Sequence, residues 1–173
     1  MVGAVDGFMD DSDESNIDRI GHRRWCLNPR MRRTGFGQAG EYAAMWSMDS
    51  SGPDPRDVEA VRYPPPGYVP VELFEAHYAW NFSPLDGRAP ARSDVVVTIQ
   101  PLGDYYLPAG EPLAIDYLEV AEDGYGGTPC VIFRPSALEV APGKAYRCRL
   151  SFDEGRTTAF DYVVEFVSGE GLR

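Results

Sequence analysis

The chain has 173 residues, 43% of them hydrophobic and 12% aromatic, and a formal net charge of −11. That length suits one ordinary domain or two small ones, and that apolar content supports a packed core rather than wholesale disorder. The acidic balance argues against sequence-independent nucleic-acid binding, which needs a basic face, and against electrostatic docking on an anionic membrane. No apolar run approaches the length of a membrane-spanning helix, so no membrane span is expected. The first residues, Met-Val-Gly-Ala-Val-Asp, lack a basic segment followed by an apolar one, so no signal peptide is visible.

Val2, Val5, Phe8 and Met9 recur at helical spacing and predict a short helix over 1–9. Acidic residues at Asp10, Asp11, Asp13 and Glu14 break that pattern. Asp13 or Ser15 then caps a second predicted helix running toward Leu27, with Ile17, Ile20, Arg24 and Leu27 along one side. Asn28-Pro29 ends it, because the residue before proline is pushed out of the helical region. Thr34–Gly37 and Glu41–Met48 read as two strands around a Gln38-Ala39-Gly40 turn. The acidic run fails as a calcium loop: position six is not glycine and position twelve is His22 rather than glutamate. Arg30, Arg32 and Arg33 form a basic cluster that suits an anionic polymer or acidic partner, or is simply a solvated strand edge.

Ser50–Arg62 is rich in Gly, Pro and alternating charge, as in a linker or long loop, and Tyr63-Pro64-Pro65-Pro66-Gly67-Tyr68-Val69-Pro70 reads as extended chain. The remainder reads as strands: Phe74–Ser83, Asp94–Gln100, Leu113–Val120, Cys130–Arg134, Ala145–Phe152 and Phe160–Val167. Turn signals at Pro108-Ala109-Gly110, Asp123-Gly124, Pro142-Gly143 and Glu154-Gly155 separate them. Short alternating strands at this spacing suggest an immunoglobulin-like or fibronectin-like sandwich. If Cys130–Arg134 and Ala145–Phe152 formed a hairpin, Cys130 and Cys148 would lie nearly opposite, and a cross-strand disulfide or two buried thiols are both open; Cys26 is left unpaired. Asn81-Phe82-Ser83 fits the glycosylation sequon. His77 reads as a strand residue unconnected to His22.

Val5-Asp6-Gly7-Phe8-Met9, then Gly21-His22-Arg23-Arg24-Trp25-Cys26-Leu27-Asn28-Pro29, then Thr34-Gly35-Phe36-Gly37, then Tyr42-Ala43-Ala44-Met45-Trp46 follow one another in the chain. That order resembles the last part of the bacterial branch of the CAP superfamily (also called SCP; cysteine-rich secretory, antigen 5 and pathogenesis-related proteins). The resemblance covers residues 2–49, and Pro-Pro-Gly-Tyr-x-Pro segments also stand beside the CAP piece in bacterial relatives. It implies that the upstream helices, the first strand, the first cavity histidine and the first cavity glutamate of an α-β-α sandwich lie before Met1. Two histidines and two acidic residues line the family's metal-holding cleft, and the carry-over is to His22 and Asp11. Glu14, Arg23, Arg24 and Trp25 are the accompanying surface or cleft candidates. Imidazole and carboxylate suit zinc, but two ligands do not complete a site.

The expected architecture is therefore α+β. Residues 1–50 form a partial CAP-like segment, a helical and β-hairpin remnant; 51–63 form a linker; 64–173 form a mainly antiparallel β-sandwich. The leading functional expectation is a non-enzymatic binding or adhesion module, extracellular or at the cell surface, with a surface ligand or cell-wall component as partner. The alternatives are a metal-dependent hydrolase or metal-binding protein whose cleft an upstream segment completes, and a purely structural brace for the sandwich. No catalytic set and no cofactor are expected, and zinc or another divalent ion fits only with an intact upstream half. A homodimer through exposed strand edges is a further expectation.

Overall fold

A computed structural model describes residues 2–55, 58–86, 89–122, 129–152 and 157–169. Helix α1 spans Val2–Asp10 and α2 spans Gly21–Cys26. Ten strands follow: β1 (Gly35–Ala39), β2 (Tyr42–Trp46), β3 (Ala60–Tyr63), β4 (Gly67–Pro70), β5 (Trp80–Pro84), β6 (Val96–Leu102), β7 (Ile115–Ala121), β8 (Cys130–Pro135), β9 (Ala145–Phe152) and β10 (Thr157–Val167). The fold is mixed α+β and mostly β. No helix among the described residues is long and apolar enough to cross a membrane.

β1 and β2 pair only with each other. The other eight strands form two four-stranded sheets, ordered β3-β5-β8-β7 and β4-β10-β9-β6. All pairings are antiparallel except β4 with β10, which run parallel with Glu165 opposite Tyr68. The chain passes from the first sheet to the second at the cis Tyr63–Pro64 bond. Alternation does the rest. Trp80, Phe82, Val131 and Phe133 of the first sheet and Tyr146, Cys148, Leu150, Val164 and Phe166 of the second share one buried core. Phe82 meets Phe160 across it, with ring centroids 4.2 Å apart. Each such fully buried side chain contributes about 1.5–3 kcal/mol relative to exposure.

Several strands match the sequence reading closely, and β9 coincides with it. One strand falls in the predicted linker and one in the proline-rich segment read as extended chain. Ala60–Tyr63, at the end of the span read as linker, is β3, and the proline-rich Gly67–Pro70 is β4. Both are edge strands of their sheets, where a missing proline N–H does least harm. The Phe74–Ser83 reading is half right: only Trp80–Pro84 is strand, preceded by turns through Tyr78. The Asp123-Gly124 and Glu154-Gly155 turns lie outside the described residues.

The second helix is shorter than its periodicity suggests. Residues 13–19 form tight turns, because the Asp13 carboxylate takes the Ser15 N–H (2.9 Å) and the Asn16 amide (2.8 Å), a local alternative to helix. Those hydrogen bonds, the Asn16 side chain's first, hold the Asp13 carboxyl at about 2. Ile20 sits at φ 40° and Asp11 at φ 47°, left-handed values that stop any continuous helix. In exchange Ile17 and Ile20 are buried with Ala79, Ala121, Cys130 and Ile132, on the outer face of the first sheet.

The cysteine reading is corrected by the topology. β8 and β9 belong to different sheets, so they form no hairpin. Cys130 faces the N-terminal turns while Cys148 faces the inter-sheet core, and both are free, as is Cys26. Burial pushes both buried thiols up, Cys148 to about 12, which keeps them protonated and unreactive. Alkylation of the native protein is expected to spare Cys130 and Cys148, and alkylation in denaturant without reductant to label all three cysteines. A pair that stays unlabelled after denaturation would contradict this arrangement.

Candidate functional site

The N-terminal segment is built around one turn of chain and one side chain. Asp11 is buried, and its Oδ2 accepts the backbone N–H groups of His22 (2.8 Å) and Arg23 (3.3 Å), satisfying two of the donors that α2 leaves unpaired. Its other oxygen lies 2.8 Å from His22 Nδ1. The imidazole stacks on Phe8, with centroids 5.5 Å apart, and is 55% exposed. The two residues carried over from the family cleft are therefore in direct contact, with one carboxylate both capping the helix and orienting the ring. A carboxylate on Nδ1 turns Nε2 outward as the free ring nitrogen, the arrangement used by oriented bases and metal ligands alike. His22 stands in the first turn of α2.

His77 also comes closer than the sequence suggests. Its Nε2 lies 3.3 Å from Asp10 Oδ2 and its Nδ1 3.5 Å from Glu75. Two imidazoles thus hang on the adjacent carboxylates Asp10 and Asp11. Among the described residues, no three His, Cys, Asp or Glu side chains converge as a metal-binding group.

Arg23 and Arg24 are buried, not displayed at a surface or cleft. Arg23 is wholly enclosed, and each of its five N–H donors has an acceptor. Nε donates to the Met9 carbonyl (2.5 Å), Nη1 to the Ala79 carbonyl and Asn81 Oδ1 (3.4 Å), Nη2 to the Asp10 carbonyl and Ser12 Oγ (3.2 Å). The guanidinium also lies 4.6 Å from the Tyr63 ring centroid. Ser12 completes the joint, accepting the Ala79 N–H at 2.9 Å. Burial pushes the Arg23 pKa down, but an arginine begins high enough to stay charged. Arg24 donates to the Arg19 carbonyl at 3.2 Å. Trp25 is half-buried and Glu14 is exposed. The Asn81 of the sequon is buried against Arg23, which closes it to glycosylation.

Beyond α2, Asp49 collects the N–H groups of Arg32 (2.8 Å) and Arg33 (3.0 Å) and the Ser51 hydroxyl (3.0 Å), which together hold its carboxyl below the usual range. This clasp ties the two ends of the β1–β2 hairpin. Arg30, Arg32 and Arg33 are exposed at its base. Gly40 at φ 59° opens the two-residue turn with Glu41, as a type II′ hairpin requires. Sequence reasoning missed a cleft of about 810 Å³ at one end of the paired sheets, floored by Phe82, Phe152 and Phe160 and flanked by Val58, Leu85 and Asp94. Its walls come from strand ends far apart in sequence, so no local signal could announce it.

No family model, curated protein or solved structure matches the chain.

Replacing Arg23 by methionine keeps its reach but removes every donor to the Met9, Asp10 and Ala79 carbonyls, Asn81 Oδ1 and Ser12 Oγ. Urea unfolding of Arg23→Met is expected to show a loss of about 3 kcal/mol or more, with no recovery in Arg23→Lys, whose ammonium offers three donors instead of five. A loss under about 1 kcal/mol would mean that the joint is not structural.

Proposed function

We propose that the chain is a non-enzymatic binding module of an extracellular or cell-surface protein, an immunoglobulin-like β-domain braced by a CAP-like N-terminal segment. The observation that carries the reading is the bare face of the β1–β2 hairpin. In its register Tyr42, Ala44 and Trp46 lie across from Ala39, Gly37 and Gly35, on one face. Met45, on the opposite face, puts its sulfur 3.4 Å from Cys26 Sγ. One face is therefore turned to α2. The other leaves Tyr42 83% and Trp46 55% exposed over a bed of glycine and alanine. Apolar surface of this kind, on a clasped hairpin with three exposed arginines at its base, suits a surface ligand or cell-wall component.

The immunoglobulin-like part of the reading has its own support. The sheet orders β3-β5-β8-β7 and β4-β10-β9-β6, with β4 parallel to β10, follow the order of such domains when the strands are lettered A, A′, B, C, D, E, F and G. Tyr146 stands at the start of the F-like strand, two residues before Cys148. Its hydroxyl donates to the Glu139 carbonyl (2.8 Å) and accepts the Glu139 N–H (3.1 Å). That matches a tyrosine corner. One departure is plain: β5 carries Trp80 and Phe82 and no cysteine, so the inter-sheet disulfide of antibody domains has no partner. Placement outside the cell follows from the family resemblance.

The brace reading is favoured by a separate observation, the burial of Ile17, Ile20 and Arg23 against the first sheet. It is compatible with the first reading, since a braced segment is what holds the hairpin face out to solvent.

Co-sedimentation with purified bacterial cell-wall polymer tests the proposal. The chain is expected to bind, and Tyr42→Ser/Trp46→Ser to lower the bound fraction about five-fold or more without loss of stability, both side chains being exposed. Binding untouched by the double variant, or a hydrolytic activity abolished by His22→Ala, would contradict it.

A further inference from the structure

The turn after β6 has a backbone that its sequence does not favour. Leu107 N–H closes it on the Asp104 carbonyl at 3.2 Å, and both central residues, Tyr105 and Tyr106, sit at φ 57°. Two successive left-handed residues make a type I′ turn, whose usual occupants are Asn-Gly or Gly-Gly. Tyrosine has neither the freedom of glycine nor a short amide that bonds back to its own backbone.

The surroundings hold this conformation in place. Gly103 N–H donates to the Leu107 carbonyl (2.9 Å) and Ala109 N–H to the Pro101 carbonyl (2.9 Å). The Tyr106 hydroxyl donates to Glu165 on β10 at 2.5 Å, and Tyr68, the register partner of Glu165 on β4, is within hydrogen-bonding reach of the same hydroxyl. Tyr105 is 93% exposed and has no hydrogen bond or ring contact among the described residues. Folding therefore does not need its ring, and a glycine would close the turn with less strain. Strain kept where the neighbours over-determine it points to a surface under functional constraint.

The chemistry of the patch indicates what it takes. Tyr68 is 69% exposed and lies on the same outer face of the second sheet, so Tyr68 and Tyr106 gather around Glu165, with Tyr105 and Asp104 in the adjoining turn. Three cations on or beside the neighbouring β9 are already engaged: Lys144 with Glu139 (2.7 Å), Arg147 and Arg149 with Asp161 (2.7 and 2.8 Å). Residues 51–173 carry ten basic and nineteen acidic side chains, a net of −9. Tyrosine faces beside carboxylates attract guanidinium and ammonium groups. We infer that Tyr68, Tyr105 and Tyr106 form a recognition surface for an arginine- or lysine-bearing polypeptide segment, the rings receiving the cation and Glu165 and Asp104 supplying the counter-charge. The Glu165 carboxylate pushes the Tyr106 phenol up to about 12, so that ring stays neutral and its proton stays directed at Glu165. This surface is separate from the N-terminal hairpin and stands whether or not the hairpin binds anything.

The test titrates the full chain with a capped tri-arginine peptide, and with capped tri-glutamine and tri-glutamate peptides, by heteronuclear NMR at physiological salt. Tri-arginine is expected to shift the Tyr68, Tyr105 and Tyr106 resonances and to bind at least ten-fold more tightly than the other two. Tyr105→Gly keeps every charge. It is expected to weaken tri-arginine about five-fold or more while raising the melting temperature by about 2–4 °C as the turn relaxes. Tyr105→Phe is expected to stay within two-fold of the parent. Equal binding of tri-arginine by the parent and Tyr105→Gly would mean attraction by net charge alone and would overturn the inference. So would a melting temperature that does not rise in Tyr105→Gly, or a loss in Tyr105→Phe as large as that in Tyr105→Gly.

Discussion

The enclosed Arg23 guanidinium is the interaction on which the rest of the N-terminal arrangement depends. A buried cation is tolerable only when its donors are met, and here the acceptors come from two separate parts of the chain. Met9, Asp10 and Ser12 end α1, while Ala79 and Asn81 begin β5. The side chain therefore fixes a helix terminus to the start of an inner strand of the first sheet, with Tyr63 under its flat face. Asp11 then caps α2 from within the same turn, and Ser12 reaches Ala79. The left-handed backbone at Asp11 and Ile20 follows from these demands, since a straight helix could not deliver Asp11, Ile17, Ile20 and Arg23 to their partners together.

This joint changes the meaning of the Gly21–Pro29 stretch. Its histidine keeps an outward ring beside a carboxylate, the outline of a site. Its arginines are committed to structure. The first sheet is consequently covered on both faces, by the second sheet inside and by the turns of the N-terminal segment outside, and β5 and β8 read as buried on nearly every residue. An outer face so covered favours apolar and small residues there, and Ala79, Cys130 and Ile132 supply them.

Local signals in the sequence were read well where one physical constraint dominated. Alternation located β9 and most of β6, β7 and β10, while the continuous apolar run Cys130–Phe133 located β8, which is buried on both faces. The hairpin was visible through its glycines. Asp11 and His22 were singled out together in the sequence as candidate ligands, and their side chains lie in direct contact. What was not visible depended on distant partners. Periodicity at Ile17 and Ile20 mimics a helix, yet those residues are buried by a sheet more than fifty positions away. Charge alternation disguised β3, since an edge strand needs little apolar patterning. Cys130 and Cys148 seemed neighbours only because β8 and β9 were taken to pair, whereas these two consecutive strands lie in different sheets. Tyr105 and Tyr106 gave no turn signal at all, because their conformation opposes their propensity.

The N-terminal turns and the first sheet form one cooperative unit joined through Arg23. Native-state hydrogen exchange measures this directly. The amides of Arg23, Arg24 and Leu27, which are hydrogen-bonded in or around α2, are expected to exchange with the same opening free energy as the central amides of β5 and β8. Exchange of those amides through a separate, much lower-energy opening, with the sheet still protected, would contradict the account.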